Sequence, residues 1–378
     1  MLIQNTNELK TFIKNIGTPP YVTLDTEFIS ENTYYPQLCL IQVAHGEHAA
    51  VIDVLTDIDL EPLINFLKSP EITKVLHAAN QDLIIFWNDF KLSLTPVFDT
   101  QVAALVCGFG DQVSYGQLVK TFTGKLLDKG AQIVDWTRRP LLDKHIKYAL
   151  GDVTDLCTIY ERLQKDIHRQ NRESWIEEEM QALSNPDRYA FDPENQMKKL
   201  KMRGQTPRRL ATLREMIIWR EAQAKSQNLP RGWVMKDLAL RDIASNPPKN
   251  TEQLGHVRSI GGNARGDVGQ SILKHIRIAQ ELPLSECPAV DTKGREEQAN
   301  ENTIVLLRAL LSHVCATHRV AAKLVASKSD LEQLALGAST RIDSGWRWEL
   351  FGELANKLLK GQIALALRKG DIEVVETS

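Results

Sequence analysis

The architecture follows from the stretch Tyr21-Val22-Thr23-Leu24-Asp25-Thr26-Glu27-Phe28, an apolar strand pattern that ends in two carboxylates. Side chains two residues apart point to the same face of a strand, so Asp25 and Glu27 should project together. Adjacent anions repel each other unless a cation lies between them, and hard carboxylate oxygens suit Mg²⁺ or Mn²⁺. The pair is therefore a candidate metal site, with a solvated acidic turn as the alternative.

The surrounding patterns predict a mixed α/β sheet flanked by helices. Short connections favour antiparallel hairpins among the first three strands, after which strand alternates with helix. From residue 99 to about residue 180 the pattern is mainly helical. The predicted strands are 21–28, 37–44, 49–54 and 72–77, and the predicted helices are 60–67, 80–90 with Asn80 as its cap, and an earlier one capped by Thr6.

Further acids lie downstream of the first pair. Asp82 is in the first turn of a predicted helix, where the helix dipole alone favours an acid, so it is either a dipole partner or a third carboxylate ligand. Tyr148 and Asp152 are four residues apart in a long helical pattern and therefore share one helix face. Asp155 lies on the same face, so it is a rival to Asp152.

Composition restricts the class of protein. The 378 residues, 43% of them hydrophobic, suffice for the cores of two or three domains. No apolar run approaches the ~20 residues that span a bilayer. The five cysteines are scattered and odd in number, which argues against a disulfide framework or a zinc site and favours a reducing cytoplasm.

Charge divides the chain into two unlike halves. Residues 1–197 contain 17 Lys and Arg against 28 Asp and Glu, and residues 198–378 contain 29 against 20. An acidic half that holds cations and a basic half that attracts polyanions indicate a nucleic-acid partner. The alternative is two unrelated surface compositions joined by a linker.

The basic half begins with a predicted linker at 185–206. From Lys198 to Arg220 there are eight basic residues and one acid. Apolar residues recur at helical spacing over 208–224, so the arginines there should be available to solvent, either contacting phosphates or merely solvated. These arginines are Arg208, Arg209, Arg214 and Arg220.

A glycine-rich turn at 260–269 precedes another predicted helix. Exposed amides at a helix start can hold a phosphate, and Arg265 lies in this turn, although a plain helix–helix turn is the alternative. The candidate nucleic-acid-binding residues are Lys198, Lys199, Lys201, Arg203, Arg208, Arg209 and Arg265.

A second linker is predicted at 285–302, followed by a helical segment at 303–367. Within that segment, residues 320–335 weakly repeat residues 229–244. The repeat supports two copies of one small helical module.

The acids belong to three longer motifs: Asp25-Thr-Glu-Phe28 with its extension Thr33–Gln42, His77-Ala-Ala-Asn-Gln-Asp82-Leu, and Asp135–Leu141 leading into Tyr148-Ala-Leu-Gly-Asp152-Val. In these motifs the chain resembles the ribonuclease D family of the DEDD exonuclease superfamily. The match spans essentially the whole chain, because the C-terminal half is similar to the helical domains that RecQ-type helicases share with ribonuclease D (HRDC domains). His145 stands where the family often has glutamine.

The resemblance implies a ribonuclease H-like α/β exonuclease domain at 1–197, followed by two small all-α domains, an HRDC-like domain at 206–284 and a divergent second copy at 301–370. It implies a metal-dependent 3′→5′ exoribonuclease that trims structured RNA precursors such as tRNA and releases nucleoside 5′-monophosphates. An exodeoxyribonuclease and a catalytically silent nucleic-acid-binding protein are the alternatives. A monomer is favoured.

The resemblance also assigns roles to the acids. Two divalent ions, Mg²⁺ or Mn²⁺, are implied, one held by Asp25, Glu27 and Asp152 and the other by Asp25 and Asp82. Tyr148 is implied to orient the attacking water.

Overall fold

A computed structural model describes residues 1–110, 113–126, 134–200, 202, 204–260, 265–290 and 299–377. The chain forms two compact units. The first contains Met1–Glu27, Leu38–Arg188 and Arg295–Ser378, and the second contains Phe28–Gln37 and Tyr189–Gly294. Within the described residues, no helix has the length and apolar character needed to cross a membrane.

A six-stranded sheet forms the centre of the first unit. Its strands are β1 (Leu2–Ile3), β2 (Tyr21–Ile29), β3 (Gln37–His45), β4 (His48–Asp53), β5 (Thr73–Leu76) and β6 (Val97–Asp99). The strand order is β1-β4-β3-β2-β5-β6. Strands β3 and β4 are antiparallel, whereas the pairs β1–β4, β2–β5 and β5–β6 are parallel. The predicted mixed sheet is confirmed.

Helices of the first unit accompany this sheet. They are α1 (Thr6–Ile16), α2 (Glu61–Leu67), α3 (Asn80–Phe90), α4 (Thr100–Val106), α5 (Tyr115–Thr123), α6 (Asp143–Arg169) and α7 (Glu173–Ser184). In α1, for example, the residues at helical spacing Leu9, Phe12 and Ile16 are buried.

Two predicted helix caps are wrong by one residue. Asn5 caps α1, since its side chain accepts a hydrogen bond from the Glu8 amide, and Thr6 is the first helical residue. Likewise Ala79 precedes α3, and Asn80 is its first residue. The Ala79 amide donates a hydrogen bond to the Asp99 carboxylate at 2.9 Å. Because Asp99 is distant in sequence, the local pattern does not predict this contact at the start of α3.

In its described part, the second unit consists of helices and their connections, together with the segment at residues 28–37. Its helices are α8 (Pro193–Lys199), α9 (Pro207–Gln227), α10 (Arg231–Val234), α11 (Asp237–Ser245), α12 (Thr251–Gly255) and α13 (Gly266–Glu281). Thr206 caps α9 by accepting a hydrogen bond from the Arg209 amide at 3.3 Å. Leu210, Leu213 and Ile217 contribute to the apolar core, as their spacing predicts.

The expectation that Arg220 is available to solvent is wrong. Its side chain is 6% exposed. The guanidinium donates hydrogen bonds to the Met235 carbonyl at 3.0 Å and to Asp237 Oδ1 at 2.6 Å. Arg220 therefore stabilises the turn that leads into α11.

The C-terminal region belongs to the first unit. It contains α14 (Glu301–His318), α15 (Ala322–Val325), α16 (Lys328–Ala335), α17 (Gly345–Arg347), a π-helical turn (Trp348–Gly352) and α18 (Glu353–Leu359). The prediction of helix as far as residue 367 is wrong, because an antiparallel hairpin of β7 (Ile363–Arg368) and β8 (Asp371–Glu376) follows. The turn residues Lys369 and Gly370 both have positive φ, as a two-residue hairpin of type I′ requires.

Candidate metal centre

Three carboxylates converge at the end of β2. Asp25 and Glu27 project from β2, and Asp152 projects from α6. One oxygen of each lies within 4.8 Å of the others. The Thr23 hydroxyl donates a hydrogen bond to the Val153 carbonyl at 2.8 Å, which ties β2 to α6 beside these side chains.

Asp82 lies close to this group without joining it. Its buried carboxylate in the first turn of α3 accepts a hydrogen bond from the Thr26 hydroxyl at 2.5 Å. The charge of Asp82 nevertheless raises the pKa of Asp25, so the two side chains are near each other. The structure thus places Asp82 at the edge of the three-carboxylate group.

Asp99 fixes the segment that presents Asp82. The amides of Ala78 and Ala79 donate to its carboxylate at 3.0 and 2.9 Å. Ala78 has φ of 55°, a left-handed conformation that these contacts hold in place. Asp99 and Thr26 were both missed by sequence reasoning; the position of Asp99 between a short strand and a helix was the available signal.

Burial and mutual repulsion raise the pKa values of the grouped acids. Burial raises the pKa of Asp25 well above its ordinary value, and the charges of Asp82, Asp152 and Glu27 raise it further. Burial raises the pKa of Glu27 to about 8, aided by the charges of Asp152 and Asp82.

The pKa values of the other two acids rise mainly through burial. The pKa of Asp152 rises to about 7 despite a hydrogen bond with Tyr148 that lowers it. That of Asp82 rises to about 6, although the Thr26 hydrogen bond opposes the shift. Crowded carboxylates of this kind are stabilised by a cation.

The donor set fits a divalent metal ion. In the described parts of the chain, no lysine or arginine forms an ion pair with Asp25, Glu27, Asp82 or Asp152. All the candidate donors are hard carboxylate oxygens, the ligand type that Mg²⁺ and Mn²⁺ prefer. A bound ion would supply the missing positive charge.

Tyr148 faces the same cluster. Burial raises the pKa of its phenol, and the charges of Asp152, Glu27 and Asp25 add to this effect. The ring stacks on the buried Trp136, with 6.3 Å between ring centroids. The hydroxyl is therefore neutral at physiological pH and oriented towards the carboxylates.

The rival acid Asp155 has a different partner. It is buried and forms an ion pair with Lys125 Nζ at 2.6 Å. Asp152, and not Asp155, lies in the three-carboxylate group.

The candidate nucleic-acid-binding residues have unlike surroundings. Lys198, Lys199 and Arg265 are exposed. Arg208 Nη1 donates to the carbonyls of Ala279 at 2.7 Å and Leu282 at 2.5 Å. Arg209 Nη1 donates to the Gly204 carbonyl at 2.8 Å. Lys201, Arg203 and the glycine-rich run at 261–264 lie outside the described residues.

Comparisons with known proteins agree with this architecture. The chain matches a family model described as 3′-5′ exonuclease over residues 1–168 and an HRDC domain model over residues 209–276. A ribonuclease D from Jannaschia sp. (strain CCS1) is 42% identical over 381 residues, covering 99% of both chains. A ribonuclease D from Nitrobacter hamburgensis is 40% identical and covers 100% of both.

A solved structure extends the likeness to three dimensions. Escherichia coli RNase D, described as an exoribonuclease involved in structured RNA processing, matches with a TM-score of 0.84 at 29% identity. The match covers 95% of this chain and 98% of that one.

Proposed function

The chain belongs to the ribonuclease D family and is a 3′→5′ exoribonuclease, and we propose that Asp25, Glu27, Asp82 and Asp152 hold the divalent metal ions of its active site. The observation that carries this proposal is the convergence of three carboxylates within 4.8 Å. The raised pKa values of these acids support the proposal, because ionisation of buried, adjacent carboxylates is unfavourable unless a cation is bound.

We assign Asp25, Glu27 and Asp152 to one ion, and Asp25 with Asp82 to a second. The position of Asp82 at the edge of the group supports this division, since an ion shared by Asp25 and Asp82 would lie beside the first. When bound, Mg²⁺ or Mn²⁺ ions lower the pKa of the attacking water and offset negative charge on the leaving oxygen.

Tyr148 positions the attacking water in this proposal. A neutral phenol both donates and accepts hydrogen bonds, so its hydroxyl can hold a water beside the carboxylates. Its raised pKa makes it a poor base. Tyr148 therefore acts mainly through orientation and only assists deprotonation.

The substrate we propose is structured RNA with a free 3′ end, such as a tRNA precursor, hydrolysed to nucleoside 5′-monophosphates. The likeness to the E. coli enzyme supports this choice. The basic C-terminal half would supply phosphate contacts that are independent of base sequence, through exposed residues such as Lys198, Lys199 and Arg265.

We retain as a proposal the division into an exonuclease domain at 1–197, an HRDC-like domain at 206–284 and a divergent second HRDC-like domain at 301–370, the last of which includes strand β7. We also retain a monomer in a reducing cytoplasm as a proposal; the five scattered cysteines lack the pattern of a disulfide framework, which supports the reducing compartment.

The test is hydrolysis of one tRNA-like transcript labelled either at its 5′ end or at its 3′ end, with Mg²⁺ or Mn²⁺. The 3′ label should be released first, as nucleoside 5′-monophosphate, while the 5′ label shortens stepwise. A DNA oligonucleotide of matched sequence is the control. Faster hydrolysis of DNA, or internal cleavage of the RNA, would contradict the proposed function.

A further inference from the structure

The segment Phe28–Gln37 follows Glu27 directly, yet it belongs to the second compact unit. Strand β2 ends at Ile29, so its last two residues lie in that unit as well. The segment is therefore joined directly through the backbone to the strand residue Glu27.

The ring of Tyr34 attaches the segment to the helical unit. It is half-buried and packs against the apolar core that includes Leu213 and Trp219. The Arg231 guanidinium lies over the ring, 4.9 Å from its centroid. An aromatic ring held this way combines apolar burial with a cation–π contact.

The Tyr34 hydroxyl completes a buried ionic group. It donates a hydrogen bond to Glu221, whose side chain is 4% exposed. Arg231 donates to the same carboxylate from Nε at 2.5 Å and from Nη2 at 2.9 Å. Lys225 Nζ lies 3.5 Å from it. Burial raises the pKa of Glu221, but these hydrogen bonds and charges outweigh it and hold that pKa below its ordinary value.

The segment backbone is held at a second point. Asn228 Oδ1 accepts hydrogen bonds from the amides of Tyr34 and Tyr35, both at 3.2 Å. Asn228 ends helix α9 in a left-handed conformation with φ of 49°, which asparagine tolerates better than most residues.

We propose that Tyr34, Glu221, Asn228 and Arg231, here named the Tyr34 clamp, position the Glu27 end of the metal-binding strand for hydrolysis. The clamp residues then contribute to turnover through residues 28–37, which follow Glu27 directly in the chain. This inference rests on the proposed function, because it assigns Glu27 to the catalytic site. The clamp residues are positioning residues, since each acts through the backbone of residues 28–37.

The test compares Tyr34→Phe with Tyr35→Phe in the full chain. Tyr34→Phe keeps the ring against the apolar core but removes the hydroxyl, which donates to Glu221 and accepts a hydrogen bond from Arg231 Nη2 at 3.0 Å. For Tyr35, by contrast, the described part of the chain shows no hydrogen bond of the side chain. Two quantities are measured: amide hydrogen exchange of residues 30–36, and kcat and KM for a short RNA. Tyr34→Phe should speed exchange in that segment and lower kcat about tenfold with KM unchanged. Tyr35→Phe should change neither quantity.

Glu221→Gln is the second variant, because it removes the charge that Arg231 and Lys225 neutralise. It should reproduce the kcat loss of Tyr34→Phe. Unchanged exchange in both variants, or faster exchange with wild-type kcat, would overturn the clamp. A wild-type protein that hydrolyses no RNA would instead contradict the proposed function, and the exchange measurement would still test how the segment is held.

Discussion

The Thr26 hydroxyl donates a hydrogen bond to Asp82 Oδ1 at 2.5 Å. Thr26 lies between Asp25 and Glu27 on β2, and its side chain points to the opposite face from theirs. One short strand segment therefore supplies two grouped carboxylates and orients a third acid on α3.

Thr26→Val should lower turnover about tenfold, because residues that orient metal ligands influence metal affinity and activity. Valine keeps the shape of threonine but lacks the hydroxyl that donates to the buried Asp82 carboxylate. Thr26→Ser keeps the hydroxyl and is the control. The measurement is RNA hydrolysis over a Mg²⁺ titration, and equal activity of the valine and serine variants would contradict this role.

Asp152→Asn should reduce hydrolysis far more than Asp155→Asn. Asp152 lies in the three-carboxylate group, whereas Asp155 is paired with Lys125. Asp155→Asn should mainly lower the melting temperature. Initial rates and melting curves of both variants decide the matter, and a larger rate loss in Asp155→Asn would reverse the assignment.

The metal-free protein should lose stability as pH rises from about 5 to about 8. The pKa values of Glu27 and Asp152 are raised to about 8 and about 7 in the folded state. A raised carboxyl pKa contributes stability below the unfolded pKa, and that contribution is lost as pH rises through the folded value.

Added Mg²⁺ should therefore raise the melting temperature more at the upper end of this pH range than at the lower end. Thermal unfolding with EDTA or with Mg²⁺ provides the measurement. Asp25→Asn, which removes the central charge, should flatten the dependence. A metal-induced shift that is the same at every pH would contradict the predicted cation site.

Arg347→Ala should destabilise the first unit by about 3 kcal/mol, because it breaks a buried ionic group. Its side chain is 4% exposed, and it pairs with Glu178 at 2.8 Å and also with Glu179. The control is Arg341→Ala, whose partly exposed pair with Asp330 should contribute less than about 1 kcal/mol. Denaturant unfolding measures the stability of both variants, and equal losses would contradict the predicted contribution of the Arg347 ion pairs.

Much of the fold was predictable because its elements carry strong local patterns. The strand pattern ending in Asp25 and Glu27 and the helical spacing of Tyr148 and Asp152 both appear in the structure. Strands β1 and β6 were missed, since two and three residues give no detectable alternation.

Arg220 shows a different limit. It is three residues after Ile217 and four before Ala224, so the helical spacing places it on the buried face. Because arginine is charged, we expected its side chain to be exposed to solvent. Its partners Met235 and Asp237 lie in the following turn. Their oxygens accept hydrogen bonds from the guanidinium, which offsets the cost of burying its charge.

The contacts of Asp99 and Tyr34 were not predictable from local pattern. Asp99 is about twenty residues from Ala78 and Ala79, whose amides donate hydrogen bonds to its carboxylate. Tyr34 is 187 residues from Glu221, to which its hydroxyl donates. Sequence motifs identified the acids, whereas the residues that orient them became visible only in three dimensions.

RNA hydrolysis by Asp25→Asn at saturating Mg²⁺ tests the proposed metal site most directly. Asp25 is the one residue assigned to both ions, and asparagine preserves its size while removing the charge. The variant should bind RNA nearly as well as wild type, since affinity depends on basic residues elsewhere, but should hydrolyse none. Near-wild-type turnover with intact RNA binding would contradict the account.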